Sequence, residues 1–397
     1  MKVKGKYILL YMIICCIGLR CAKPYNPAVV AGNNNYLVVE GNINTGIDST
    51  TIKLSRTTNI ASGITSLPEP NATVMIQDNQ NQSYSLKSNG DGSYTSALLT
   101  LDPTRMYRLS IVTSDGKAYL SDFVPATVSP PIDSVGYITQ GKGLQIYVNT
   151  HDPNNATHYY RWDYNETWEF HAKYSSDYIT NGTAIVPREN AQNIYQCWTS
   201  DLSNDIELGS SAKLSQDVIY QAPLIFIPST SEKIEDRYSI LVKQYAMTSA
   251  GYNYYNLLKQ NTEELGSIFD AQPSTLTGNI HCTSSANIPV IGYVTAGTVA
   301  QKRIYIDYGT LPANYITTYP YDCEEDTALY DDTRFPPPQV NRVALLLIPL
   351  TSPAVITSAL TQQNVIIGYL YSDHDCADCS IRGSTVAPSF WIPGPYN

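Results

Sequence analysis

Near the C-terminal end of the sequence, Cys376 and Cys379 stand three positions apart, with His374 just before them and Asp373, Asp375 and Asp378 around them. Thiols and an imidazole at that spacing are zinc-type donors, but zinc takes four ligands and no second Cys/His pair at ligand spacing follows. Of the 8 cysteines, Cys15 and Cys16 lie in an apolar leader and Cys21 ends it. Cys197, Cys282, Cys323, Cys376 and Cys379 remain. In an oxidising compartment these are disulfide candidates, and an odd number leaves one thiol over. Cys323 is expected to join Cys376 or Cys379, which would tie an acidic loop to the C-terminal segment; connectivity is not fixed by sequence. A thioredoxin-like redox role needs a strand running into a helix, and the tail shows no such pattern. No metal and no cofactor is expected.

Asp322, Glu324, Glu325, Asp326, Asp331 and Asp332 crowd a second segment. Oxygen donors at that density could hold calcium, yet no Asp-x-Asp-x-Asp-Gly pattern with a closing Glu appears, so a solvated loop is the simpler expectation. The 5 histidines, at 151, 158, 171, 281 and 374, have no Gly-x-Ser-x-Gly elbow or His-Glu-x-x-His helix beside them. No catalytic residue is assigned and the chain is read as a non-enzyme, although two carboxylates flanking a glycosidic bond remain open as a hydrolase reading. Tyr159, Tyr160, Trp162, Tyr164, Trp168, Phe170, Tyr174 and Tyr178 cluster tightly. On a strand, alternate side chains face opposite ways, so one subset fills the core and the other lines a surface. Ordinary packing is the simpler expectation, with Tyr160, Trp162, Tyr164 and Trp168 held as the candidate surface for a sugar, peptide or partner.

The elements that carry these residues begin with a leader. Lys2, Lys4 and Lys6 precede an apolar run from Tyr7 to Leu19, too short to cross a bilayer and suited to a signal peptide over residues 1–20. Cys21 then stands where bacterial lipoproteins are cut and acylated, and residues 21–35 read as a lipidated tether. Acyl chains at Cys21 would have to provide the attachment, because the chain is acidic: 25 basic residues against 35 acidic ones repel anionic lipid and disfavour nucleic acid. A secreted, unanchored protein is the alternative.

Charged residues make up 15% of the chain, while Tyr numbers 32, Gly 23 and Pro 24, a profile of strands and turns. Seven short alternating runs between Tyr36 and Val124, separated by turns such as Asn89-Gly90-Asp91-Gly92, predict a β-sandwich over residues 36–124. Ala72-Thr73-Val74 and Asp91-Gly92-Ser93-Tyr94 resemble the prealbumin-like modules of carboxypeptidases and outer-membrane receptors. Residues 125–131, with three prolines, read as a linker. A larger, fibronectin-like β domain is expected over 132–397, with one principal helix near 249–266, capped by Thr248 or Ser249 and packed on a sheet. Gly278–Cys282, Val290–Ala296 and Gln301–Asp307 read as strands that return to the sheet of Tyr238–Ala246, and Tyr308–Gln339 as a long loop.

Several phrases together resemble a family of Bacteroidota lipoproteins, domain of unknown function 4249. They are Cys21-Ala22-Lys23-Pro24-Tyr25-Asn26-Pro27, Leu37-Val38-Val39-Glu40-Gly41, Arg237-Tyr238-Ser239-Ile240-Leu241-Val242 with Gln244-Tyr245, and Gly266-Ser267-Ile268-Phe269-Asp270 leading to Gly278-Asn279-Ile280. Cys376-Ala377-Asp378-Cys379, Arg382-Gly383 and Phe390-Trp391 follow near the end. The resemblance implies an outer-membrane lipoprotein, commonly encoded beside a TonB-dependent transporter, with no established enzymatic activity. It makes an accessory binding subunit the leading expectation, placed at the cell surface in preference to the periplasmic face. A structural or adhesive surface protein is the alternative, and a glycan or peptide hydrolase a third.

Overall fold

The computed structural model describes residues 35–58, 66–263, 276–334 and 340–395. The expected signal peptide, Cys21 and the expected tether up to Asn34 lie outside the described residues. The protein is mainly β, and among the described residues no helix is long and apolar enough to cross a membrane.

The N-terminal lobe is a sheet that closes on itself. Met106–Val112, Thr73–Asp78, Ser83–Ser88, Ser93–Ser96, Thr51–Arg56, Leu37–Asn44, Thr295–Gly297 and Val124–Thr127 follow one another round it, and the last pairs back onto the first. Alternation explains the closure: Leu37, Val39, Ile43, Ile52, Leu54, Val74, Ile76, Leu109 and Ile111 all turn inward and form one core. Tyr94, fully buried, donates its hydroxyl to the Glu69 carbonyl at 2.5 Å and accepts from the Ala72 amide at 2.8 Å. Gly90 and Gly92 hold the preceding turn at φ of 92° and 86°, values that a side chain would resist.

Two expectations are corrected here. Ile280–Cys282, Val290–Gly292 and Thr295–Gly297 do not join the sheet of Arg237–Ala246. The first pairs with Ala118–Ser121 and the other two run parallel to Leu37–Asn44, so the 36–124 unit is completed by strands from much later in the chain. Nor do residues 125–131 act only as a linker. Val124–Thr127 is a barrel strand, and Ser129 Oγ donates to the Gln244 carbonyl at 3.0 Å.

The second lobe is a pair of facing sheets. Ile132–Gln140, Gly143–His151 and Val218–Pro228 form one. Gln196–Leu202, Tyr159–His171, Arg237–Ala246 and Val299–Asp307 form the other, with Glu207–Ser210 also paired to Tyr159–Trp162. Leu144, Ile146 and Val148 from one sheet meet Tyr160, Trp162, Tyr238, Ile240 and Val242 from the other. The predicted helix is present as Ser249–Thr262, with the Thr248 side chain accepting from the Gly251 amide; its expected end at Gly266 lies outside the described residues.

A third, smaller lobe interrupts the predicted long loop. Asp326–Leu329, Val365–Asp373 and Ala354–Gln362 form its sheet, which packs on the helical turn Val343–Leu347 through Ala328, Val343, Leu347, Ile356 and Tyr369. Two disulfides fasten this end of the chain, Cys197–Cys379 and Cys323–Cys376, with Cα atoms 5.8 and 5.7 Å apart.

Candidate functional site

The barrel and the sandwich meet along a cleft. The barrel wall is the outer face of Leu37–Asn44 and Thr51–Arg56, and the sandwich wall is the outer face of Tyr159–His171, Arg237–Ala246 and Val299–Asp307. Register places side chains in rows across each wall. Arg161, Tyr245 and Val299 form one row, Asp163, Lys243 and Gln301 the next, and Glu40 stands opposite Lys53 on the barrel. Opposite charges thus stand on neighbouring strands, but of these charged groups only Arg161 and Asp163 come within bonding distance of each other.

Arg161 is the pivot. Its guanidinium lies 4.6 Å from the ring centres of both Tyr245 and Tyr255 and donates to Asp163 Oδ2 at 3.1 Å. Such stacking fixes a planar cation whose side chain is only 14% exposed. Burial pulls the Arg161 pKa down, but the Tyr255, Asp163 and Tyr245 side chains outweigh it and leave the group firmly charged. Burial, with Asp163 adding to it, lifts Tyr245 far above the ordinary tyrosine value, so its hydroxyl keeps its proton. Gly41 lines the cleft at φ of 139°, and a Cβ there would come within 2.7 Å of the Thr51 carbonyl, so only glycine fits.

Arg161, Asp163, Glu40 and Gly41 separate two arms. The first, about 690 Å³, is polar and includes Asn42, Asp48, Thr51, Thr95 and Gln301. The second, about 490 Å³, runs under the helix; Ile206, Tyr254, Tyr255, Leu258, Ile291 and Tyr293 form its apolar wall, and Asp205 and Glu263 also line it. At its rim, burial raises the Glu207 carboxyl pKa, opposed by Lys259, whose Nζ is 3.7 Å away. The helix packs on the sheet through Tyr159 and Leu208, beside the edge strand Glu207–Ser210, and also closes one end of the cleft.

Hydrogen bonds tie the crossing points between the walls to one another. The chain passes between barrel and sandwich at 127–132, again through the helix between Ala246 and Ile280, and a third time at 297–299. Thr127 Oγ1 lies 2.8 Å from the Ala246 carbonyl and 3.0 Å from that of Ala296, and the Ser129 amide donates to Thr298 Oγ1 at 2.9 Å.

The aromatic residues picked from the sequence are elsewhere. Tyr160, Trp162 and Tyr164 are 0%, 1% and 3% exposed, inside the sandwich. Trp162 Nε1 donates to Gln244 Oε1 at 2.9 Å, and the Tyr160 hydroxyl to Asp217. Trp168 is half-buried beneath Lys233, whose Nζ is 4.9 Å from the ring centre. They pack in the ordinary way, the simpler of the two expectations, and are not a surface, because positions 160, 162 and 164 face the second sheet. The odd positions, Tyr159, Arg161 and Asp163, face the helix and the cleft. The missed signal is charge: among 159–164, only the odd positions carry an arginine and an aspartate.

The cysteine region is also resolved. Cys282, a disulfide candidate, is a free thiol buried in the barrel core, because its strand belongs to a lobe that holds none of the other candidates. A strand does run into one helical turn at His374–Ala377, contrary to the expectation for this tail, yet Cys376 and Cys379 each bond to a distant cysteine instead of each other. His374 Nδ1 lies 3.5 Å from Asp378 Oδ2. In the acidic segment, Asp326 accepts from the Tyr371 hydroxyl at 2.8 Å and Asp332 pairs with Arg334 at 2.7 Å. Among the described residues no cluster of His, Cys, Asp and Glu could hold a metal ion.

Closed barrel, facing sheets and a charged cleft between them define a multi-lobed β protein built around an inter-lobe groove. The chain belongs to the family Domain of unknown function (DUF4249), whose family model matches residues 22–303. The matched span takes in both walls of the cleft and ends before the third lobe. No curated protein matches the chain.

Proposed function

We propose that this chain is a lipid-anchored outer-membrane binding protein that serves as an accessory subunit of a TonB-dependent transporter in nutrient uptake. The cleft is its ligand site. The observation that carries this reading is the preorganised groove, in which Arg161 is stacked between two tyrosines at the junction of a polar and an apolar arm. Binding sites gain affinity when their polar groups are held in place before the ligand arrives. In this reading the closed lobe is the prealbumin/Ig-like module, the facing sheets are the fibronectin-like one, and Cys21 carries the acyl chains. The cell surface suits an accessory binder better than the periplasmic face, because the solute approaches the transporter from outside.

The test is affinity purification of the tagged protein from its own outer membrane in mild detergent, with mass spectrometry of partners and of the N-terminal peptide. A stoichiometric TonB-dependent transporter and an acylated Cys21 are expected. A free, unacylated protein would sink both the anchor and the partner and leave an adhesive or structural module as the working reading.

A further inference from the structure

The lining of the cleft also points to a ligand class, an inference that rests on the binding reading above. We propose that the cleft takes a short zwitterionic peptide with an apolar side chain. In the polar arm Lys53, Arg161 and Lys243 are balanced by Glu40, Asp48 and Asp163, and the second arm adds Asp205 and Glu263, the latter 3.7 Å from Lys259. An arm matched sign for sign suits a ligand that carries one charge of each kind, and the acidic residues of the second arm disfavour a polyanion.

Part of that charge is already engaged. Arg161 bonds Asp163 at 3.1 Å, and Gln301 Nε2 donates to Asp48 across the cleft at 3.0 Å. Lys53, Lys243 and Glu40 make no ion pair among the described residues. They are the groups open to a peptide carboxylate and a peptide ammonium. Thr51, Thr95 and Ser49 stand in the same arm and offer hydroxyls that both donate to and accept from a peptide main chain.

The second arm decides between peptide and sugar. Its Tyr254, Tyr255, Leu258 and Ile291 walls reward burial of hydrocarbon at about 25 cal/mol per Å². A glucan can lay only the C–H faces of its rings on these tyrosines, whereas a leucyl or phenylalanyl side chain buries hydrocarbon on every side. Both arms fall within the size range of small-ligand sites.

The experiment is isothermal titration of the full-length protein in detergent with alanyl-leucyl-alanine, its N-acetylated and C-amidated forms, and maltotriose. The free peptide is expected to bind, and each cap to weaken it by about tenfold or more, the worth of one charge-assisted contact. Lys243→Ala is expected to weaken the free peptide and to have no further effect on the amidated one. Thermal unfolding of the variant serves as the folding control. Equal binding of capped and free peptide, or binding by none of the four probes, overturns the assignment. Maltotriose binding that is lost in Arg161→Ala would overturn the peptide while leaving the cleft as the site. Peptide binding undiminished in Arg161→Ala and Lys243→Ala would instead overturn the cleft.

Discussion

Positions 160, 162 and 164 and positions 159, 161 and 163 alternate along one strand, yet the first set is sealed inside the sandwich and the second faces the groove. Both sets mix aromatic rings with polar atoms. Inside, the most deeply buried polar tips have committed partners: Trp162 bonds Gln244 and Tyr160 bonds Asp217. Outside, rings are used to hold a cation, and several charged groups are left for a ligand. The contrast shows that aromatic content alone does not mark a binding surface in a tyrosine-rich β protein. In the function proposed above, the side with unspent charge does.

Removing the largest side chain on the inner face should break the fold. Trp162→Ala is expected to cost about 3–5 kcal/mol, read as a lower urea midpoint or as failure to fold. A staple should matter next: the Cys323→Ser, Cys376→Ser double variant is expected to lose about 2–4 kcal/mol, with early exposure of the third lobe to protease while the sandwich stays protected. On the outer face, Arg161→Ala should cost only about 0.5–2 kcal/mol of stability, the worth of its ring contacts, yet abolish ligand binding. A loss of stability as large as that of Trp162→Ala would erase the distinction between the two faces.

The smallest effect is a pH dependence at the rim of the sandwich. His151 Nδ1 sits 2.7 Å from Asp133 Oδ2, and that hydrogen bond and charge raise the imidazole pKa above its ordinary value. The folded form therefore holds its proton longer than the unfolded chain. The stabilisation is complete below the unfolded pKa of about 6.5 and disappears as pH rises through the higher folded value. Asp133→Asn should flatten this part of the thermal-midpoint profile, and an unchanged slope would remove His151 as its source.

Local features were legible because their causes are local. The hairpin glycines at 90 and 92, the Thr248 cap and the edges of strands such as Met106–Val112 all follow from residues within a few positions of one another. Cys323–Cys376 was one of two pairings anticipated for Cys323. The closure of the barrel was not legible, because Val290–Gly292 and Thr295–Gly297 are short and their partners lie some 250 residues earlier. The cleft was hidden for the same reason. Glu40, Arg161, Lys243 and Gln301 come from four separate strands and meet only after both lobes have formed. The choice of face along Tyr159–His171 needed the second sheet, which alternation cannot supply.

The late arrival of the barrel's closing strands sets an order of assembly. As the chain is synthesised, Leu37–Asn44 emerges first and pairs with Thr51–Arg56 on one side. Its other edge, which Val290–Gly292 and Thr295–Gly297 will cover, stays bare until more than two hundred further residues have followed. An uncovered edge is a template for pairing with another chain. The nascent protein thus has a long interval in which its first lobe is an open sheet, and any factor that shields such edges would act on this interval rather than on the finished fold.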